Sequence, residues 1–427
     1  MSIEAQAKLA RDASIKLAVL PTNVKNKALL AIANAIKKNS KAIIEANKKD
    51  IEAAKKAGLS GVLVKRLLVD NHKIDEIIAE VKGVAKLDDP SGKTISQMEL
   101  DNNLMLYQVT CPIGVIGAIF ESRPDVVPQI SSLCLKSGNA VILKGGSEAL
   151  NSNRILVKII SDAAEKNGVP KGAIQLIETR EQVAEMLKMD KYISLIIPRG
   201  SNAFVKYVQE NTKIAVLGHS DGICHVYVDK SADLKKAVDI SFDAKCQYPA
   251  VCNAMETLLV HKDIAKKFLP LAAGKLKGVE LRGDDKTRKI ISSEAATEKD
   301  WETEYNDLIL SIKIVNNVNK AVEHINKYGS KHTDAIVTED KKNAETFMSL
   351  VDSASVMWNA STRFSDGFRY GKGAEVGVST AKIHARGPVG LEGLVIYKYK
   401  LVGKGQIVAD YSSGKKKFTH KVIKKLF

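Results

Sequence analysis

From Pro112 onward the chain alternates two textures. Short, unbroken apolar runs ("IGVIGAIF", "NAVILKGG", "GAIQLIE", "ISLIIPRG") are separated by segments of helical spacing such as "VVPQISSLCLKSG" and "SEALNSNRILVKIISDAAEKNG". A strand that is apolar along its whole length is covered on both faces, so the pattern predicts an α/β fold built on a doubly wound parallel sheet. Such sheets bind ligands at the carboxyl ends of their strands. Those ends carry "KGGS" (Lys144 to Ser147) and "PRGS" (Pro198 to Ser201), where backbone N–H groups at a strand-to-helix turn suit a pyrophosphate.

Residues 2–85 read as helices. Leu29, Ile32, Ala33 and Ile36 fall on one helical face behind a Thr22 or Asn23 cap. "DDPSGK" (88–93) is a turn-rich break, and "NNLMLYQVTC" is the first clear strand. A second α/β unit runs from Cys224 through "METLLVH", "LILSIKIV" and "DAIVTED". The Gly-rich stretch 367–394 is too long and irregular for an idle loop, and "VIYKYKLVG" reads as a final strand.

Lys and Arg outnumber Asp and Glu by 65 to 49, giving a net charge of +16. Six lysines sit without an acid in "KKKFTHKVIKKLF", which reads as a solvated tail. Phe418, Val422 and Leu426 would share a face if it were helical. No aromatic-interleaved basic stripe suggests nucleic acid, and no segment is apolar enough for a membrane span. The start lacks the marks of a signal peptide, so a cytoplasmic protein is expected. Five cysteines form no C-x-x-C pair, which argues against a disulfide framework and predicts no metal. Cys111, Cys134 and Cys224 read as core residues.

Neither a G-x-G-x-x-G fingerprint nor a P-loop is present. However, "PIGVIGAIFESRP", "NAVILKGGSEALNSN", "PRGS", "VCNAMETLLVH" and "STAKIHARGPVGLEGL" occur in an order and spacing that resembles the aldehyde dehydrogenase superfamily. They resemble most closely its branch that reduces gamma-glutamyl phosphate, over residues 1–412. The resemblance implies an aldehyde dehydrogenase-like fold with a Rossmann-type cofactor domain (1–96 and 111–224) and an α/β catalytic domain (225–390). It also implies a small β oligomerisation element (97–110 and 391–412), followed by the basic tail (413–427).

What the resemblance implies for chemistry is specific. Cys252, in a C-x-A pattern leading into an apolar strand, corresponds to the nucleophile, whereas Cys246 does not fit the pattern. Ser122 stands where the superfamily has an oxyanion-binding asparagine. Val216 stands where aldehyde-oxidising relatives carry a glutamate base. A water-activating base would hydrolyse a thioester, so its loss favours phosphate as the other acyl partner. The expected reaction is NADPH-dependent reduction of L-glutamyl 5-phosphate to L-glutamate 5-semialdehyde and phosphate in proline biosynthesis, with a CoA-acylating aldehyde dehydrogenase as the alternative.

Cofactor contacts are expected from Lys144, Gly146, Ser147, Pro198, Arg199, Gly200, Ser201, Leu217 and Gly218. Serine at position 147, in place of a ribose-binding glutamate, favours NADP over NAD. Glu304 matches a nicotinamide-ribose glutamate or is a solvated acid. Arg123 leads the substrate candidates because a guanidinium binds two oxygens at once, followed by Arg363 and Arg386. His384 serves phosphate binding, proton transfer or structure. A homo-oligomer and a glutamate kinase partner complete the expectations.

Overall fold

The computed structural model of the chain describes residues 1–424. The alternation resolves into two parallel sheets. The first runs Ile174–Leu176, Ala140–Lys144, Val115–Phe120, Leu195–Arg199, Ala215–Val216, with every neighbouring pair parallel. Its central strand is buried at every residue. Ile116, Ala118 and Phe120 face the core shared with the helices Thr22–Lys38, Asn71–Lys86, Val126–Ser137 and Leu150–Glu165. Val115 and Ile119 face the opposite core, with Ile3–Leu17 and Arg180–Met186. Successive strand residues point to opposite faces, so covering both faces makes the whole run apolar.

The second sheet has seven strands, in the order Glu294–Ala295, Glu280–Gly283, Ile309–Val315, Met255–His261, Cys224–Val228, Thr333–Val337, Ser355–Trp358, again all parallel. A four-stranded antiparallel sheet stands apart, ordered Val395–Val402, Leu104–Pro112, Thr94–Asp101, Lys421–Lys424.

Four local expectations are corrected. The sheet has a strand before "NNLMLYQVTC": Thr94–Asp101 is half-buried at every residue, so its sequence shows no apolar face. The basic tail adds to that strand, with Val422 opposite Met98 and Phe418 stacked on Tyr411, so it is extended rather than frayed or helical. Leu426 lies outside the described residues. The helix beginning at Thr22 has no side-chain cap, because the Thr22 hydroxyl donates to Asp89 instead, at 2.8 Å. Cys134 and Cys224 are buried, but Cys111 is only partly so, lying in the antiparallel sheet.

Within the second unit, the helix Leu234–Cys246 and the strand Met255–His261 flank the turn that carries Cys252. They are tied by Lys245 Nζ and Glu256 Oε2 at 2.5 Å, both side chains sealed from solvent. Burial pushes the Glu256 carboxyl up to about 7, against the pull of Lys245. A buried pair of this kind is dangerous to break, because the remaining charge has no solvent. Lys245→Met is therefore expected to destabilise the protein by about 3–5 kcal/mol, with part of the loss recovered in Lys245→Met/Glu256→Leu. Thermal unfolding of the three proteins checks this; a single variant as stable as wild type contradicts it.

Candidate active site

Cys224–Val228 and Met255–His261 are parallel neighbours with Cys224 opposite Met255. The segments just before them, Gly222 and Cys252, therefore meet at the amino ends of the second sheet's strands. The contact is very close. A Cβ on Gly222 would lie 2.5 Å from Cys252 Cα, 2.3 Å from its carbonyl oxygen and 2.6 Å from Glu304 Oε1. No side chain fits there, and the Cys224 thiol adds a hydrogen bond to the Cys252 carbonyl at 3.2 Å.

Opposite this turn lie the carboxyl ends of the first sheet. A cavity of about 180 Å³ separates the two, lined by Cys252 and Glu375 from the second unit and its loop and by Arg199, Asn202, Leu217 and His219 from the first. Burial pushes the Cys252 thiol up to about 12, with Glu304 and Glu375 adding to the shift and Arg363 opposing it. At neutral pH Cys252 therefore rests as a thiol. Arg199 reaches into this cavity and, among the described residues, its side chain bonds only to the neutral Gln129, at 3.1 Å. Desolvation lowers its pKa, with Glu375 and Cys252 acting in the opposite sense.

A larger cavity, of about 860 Å³, adjoins the same turn at Ser201. It gathers Lys144, Gly146, Ser147 and Ser201 with two residues that the sequence reading passed over, Thr179 and Arg180. Burial lowers the pKa of Lys144. Neither Lys144 nor Arg180 has an ion-pair partner among the described residues. Glu178, also at this cavity, is neutralised by Arg154 at 2.5 Å.

Glu148, which lines the same cavity, is hydrogen-bonded away from Lys144. Its Oε1 accepts both the N–H and the hydroxyl of Ser122, each at 2.7 Å. Gly146 makes room for this, since a Cβ there would overlap the Glu148 carboxylate. The geometry corrects the expectation for Ser122. Its backbone, at φ 44°, turns both donors toward Glu148, so the hydroxyl is not aimed at an oxyanion on Cys252.

The other expected residues divide. Pro198, Arg199, Gly200 and Leu217 line the nucleophile's cavity rather than the larger one, and Gly218 packs against Pro198. Glu304 is not a free surface acid: it lies beside Gly222 and accepts from Asn202 at 3.0 Å. Arg363 is buried, donates to Gln247 at 2.9 Å and acts electrostatically on Cys252. Arg123 is paired with Asp125 at 2.9 Å, yet its charge reaches both Arg199 and Glu375.

Arg386 and His384 are engaged within the Gly-rich stretch, which for His384 is the structural reading. Arg386 donates to Asp352 and to the Thr380 carbonyl, and His384 Nε2 lies 2.9 Å from the Gly393 carbonyl, so both serve to fold the Gly-rich stretch. Cys246 closes its helix, partly buried, with its thiol raised by burial. Glu375 and His219 were missed. The signal for His219 was its place beside Leu217 and Gly218, three residues from Val216.

Comparison with known proteins gives a consistent result. Residues 1–305 match the model of the aldehyde dehydrogenase family. A gamma-glutamyl phosphate reductase from Methanococcoides burtonii is 59% identical over 99% of this chain and 97% of its own. One from Acetivibrio thermocellus is 57% identical over the whole of both chains. The crystal structure of gamma-glutamyl phosphate reductase from Thermotoga maritima superposes with a TM-score of 0.94 at 45% identity, covering 95% of this chain and 100% of that one. An acetylating aldehyde dehydrogenase from Geobacillus thermoglucosidasius, 18% identical with a TM-score of 0.65 over 95% of this chain and 97% of its own, shares the fold.

The electrostatics around Cys252 predict the effect of neutralising a neighbour. Glu304→Gln keeps an acceptor for Asn202 but removes a charge that raises the thiol. It is expected to speed iodoacetamide alkylation of Cys252 at pH 8 by a factor on the order of ten, whereas Arg363→Leu slows it. Peptide mass spectrometry follows the label; unchanged rates contradict the electrostatic account.

Proposed function

This chain belongs to the aldehyde dehydrogenase family, among its gamma-glutamyl phosphate reductases, and we propose that it reduces L-glutamyl 5-phosphate with NADPH through a thioester on Cys252. The protein is an oxidoreductase of the reductive step of proline biosynthesis. One observation carries the finer reading: Cys252 faces Arg199 across a small cavity, and the position of a water-activating carboxylate is taken by Val216, packed among apolar side chains.

The Cys252 sulfur attacks the acyl carbon, and the carbon–oxygen bond to phosphate breaks, leaving a thioester. Arg199 suits the phosphate, because a guanidinium without a carboxylate partner gains most from a dianion held in a confined site. Arg363, next to the nucleophile, and Arg123, at the edge of the same field, suit the substrate's other negative groups. With valine at position 216 there is no carboxylate there to activate water against the thioester.

The larger cavity fits a dinucleotide phosphate. Lys144 and Arg180 offer two cations for a 2′-phosphate, Ser147 and Ser201 offer hydroxyls, and Glu148 is withdrawn onto Ser122. NADPH, when bound, supplies the hydride that turns the thioester into an aldehyde. Glu304 and Asn202, where the two cavities approach each other, are placed to orient the end of the cofactor nearest Cys252.

The two parallel-sheet units serve as cofactor and catalytic domains in this reading. The antiparallel sheet, with Tyr399, Leu401 and Val402 exposed on one strand, serves association of like chains. No helix among the described residues is long and apolar enough to cross a membrane. Five free cysteines accord with a cytoplasmic setting, and the lability of an acyl phosphate favours a glutamate kinase close at hand.

Run in reverse, glutamate 5-semialdehyde with NADP⁺ is expected to yield NADPH only when phosphate is present, with Cys252→Ala inactive and Cys246→Ala active. Turnover driven by CoA instead of phosphate favours the CoA-acylating alternative. Arg180→Ala is expected to raise the KM for NADPH by about tenfold or more while leaving that for NADH nearly unchanged, in keeping with a lost phosphate contact. Equal effects on the two cofactors contradict the assignment of the 2′-phosphate.

A further inference from the structure

A nucleophile that rests as a thiol needs a proton acceptor at the moment of attack, and the residue at the usual base position, Val216, is apolar. The cavity contains another candidate. The Cys252 sulfur and one ring nitrogen each of His219 and His332 all lie within 4.8 Å of one another. His219 Nδ1 stands 3.0 Å from the Val378 carbonyl. A carbonyl only accepts, so Nδ1 carries the hydrogen and Nε2 of the neutral ring carries the lone pair. The other member, His332, is fully buried, has no partner on Nε2, and meets His219 edge to face at 4.9 Å between ring centroids.

We infer that His219 is the base of this site: as the Cys252 sulfur bonds to the acyl carbon, the S–H proton passes to His219 Nε2 and then to the phosphate oxygen whose bond to carbon breaks. In the reductive half the hydride enters at the same carbon and the carbon–sulfur bond breaks. A proton from solvent, relayed by His219, then restores the thiol. The two halves together consume one hydride and one proton and release aldehyde and hydrogen phosphate. The inference rests on the thioester reading above and adds a residue to it.

The surroundings keep the ring ready to accept. Burial lowers its pKa and Arg199 acts in the same direction; the Val378 carbonyl, Glu304 and Asp221 oppose them. His332 is itself held neutral by burial and by His219. The rival base is Glu375, which lines the same cavity and is raised by burial. Its carboxylate is anchored by the Gly367 N–H at 2.8 Å. Among the described residues no hydrogen bond joins the Cys252 thiol to His219 in the resting site, as is common before substrate draws catalytic groups together.

The test is the pH profile of kcat/KM for the phosphate-dependent oxidation of glutamate 5-semialdehyde. Wild type is expected to lose activity on the acid side through one group titrating below 6.5. His219→Asn, which keeps a donor for Val378, is expected to fall by about 100-fold or more and to lose that acid limb. In His219→Ala, added imidazole is expected to restore part of the rate in proportion to its free base. The inference is overturned if wild type shows no such limb, which needs no variant to fold. It is also overturned if His219→Asn stays within about threefold of wild type with the limb intact, or if Glu375→Gln abolishes the limb instead. Activity surviving in Cys252→Ala sinks the thioester reading as well; an inactive Cys252→Ala beside a fully active His219→Asn sinks this inference alone.

Discussion

The contact on which the site depends is the one between Gly222 and the Cys252 turn. Two parallel strands, paired with a register shift between Cys224 and His225, bring their leading segments together, and only a residue without a side chain lets them approach this closely. That approach places the thiol at the amino ends of one sheet, facing the carboxyl ends of another. Neither sheet alone lines both cavities. The first contributes Lys144, Arg199 and His219 at or just beyond its strand ends, and the second contributes Cys252 and Glu375, with Glu304 beside Gly222. The buried Lys245–Glu256 pair fixes the two elements on either side of the turn, so the loop is held from below as well as from the flank.

The charges follow a common logic. Two acids at the larger cavity are engaged by neighbours outside it: Glu148 accepts hydrogen bonds from Ser122, and Glu178 is paired with Arg154. Lys144, Arg180 and Arg199, which face the cavities, are left without a carboxylate partner among the described residues. In a confined space of low polarity such unpaired cations are costly for the empty protein, and that cost is what makes a phosphate group welcome. The same desolvation keeps Cys252 protonated.

Much of this was legible in the sequence, and the parts that were not share a physical cause. The parallel strands were readable because burial on both faces leaves no polar residue to blur the pattern. Thr94–Asp101, half-exposed on both faces, left no such trace. Cys252 could be singled out because its motif is local. Arg386 and His384 looked like ligand residues from their type and their Gly-rich setting, but their partners are Asp352, 34 residues away, and a backbone carbonyl, which no sequence pattern announces. Ser122 was misjudged for the same reason: its direction is set by a left-handed turn and by Glu148, 26 residues on. Glu375 becomes visible only when the two sheets are brought face to face, and Arg180 only when the first sheet's strand ends are gathered around one cavity.

The central claim is a thioester on Cys252 that water does not reach. It is tested most directly by mixing the protein with glutamate 5-semialdehyde and NADP⁺ in the absence of phosphate, then recording NADPH absorbance and the intact mass after acid quenching. The account predicts a burst of one NADPH per active site, an acyl group mapped to Cys252, and its discharge on adding phosphate. Continuous NADPH formation without phosphate, or an acyl group on any other residue, would contradict it.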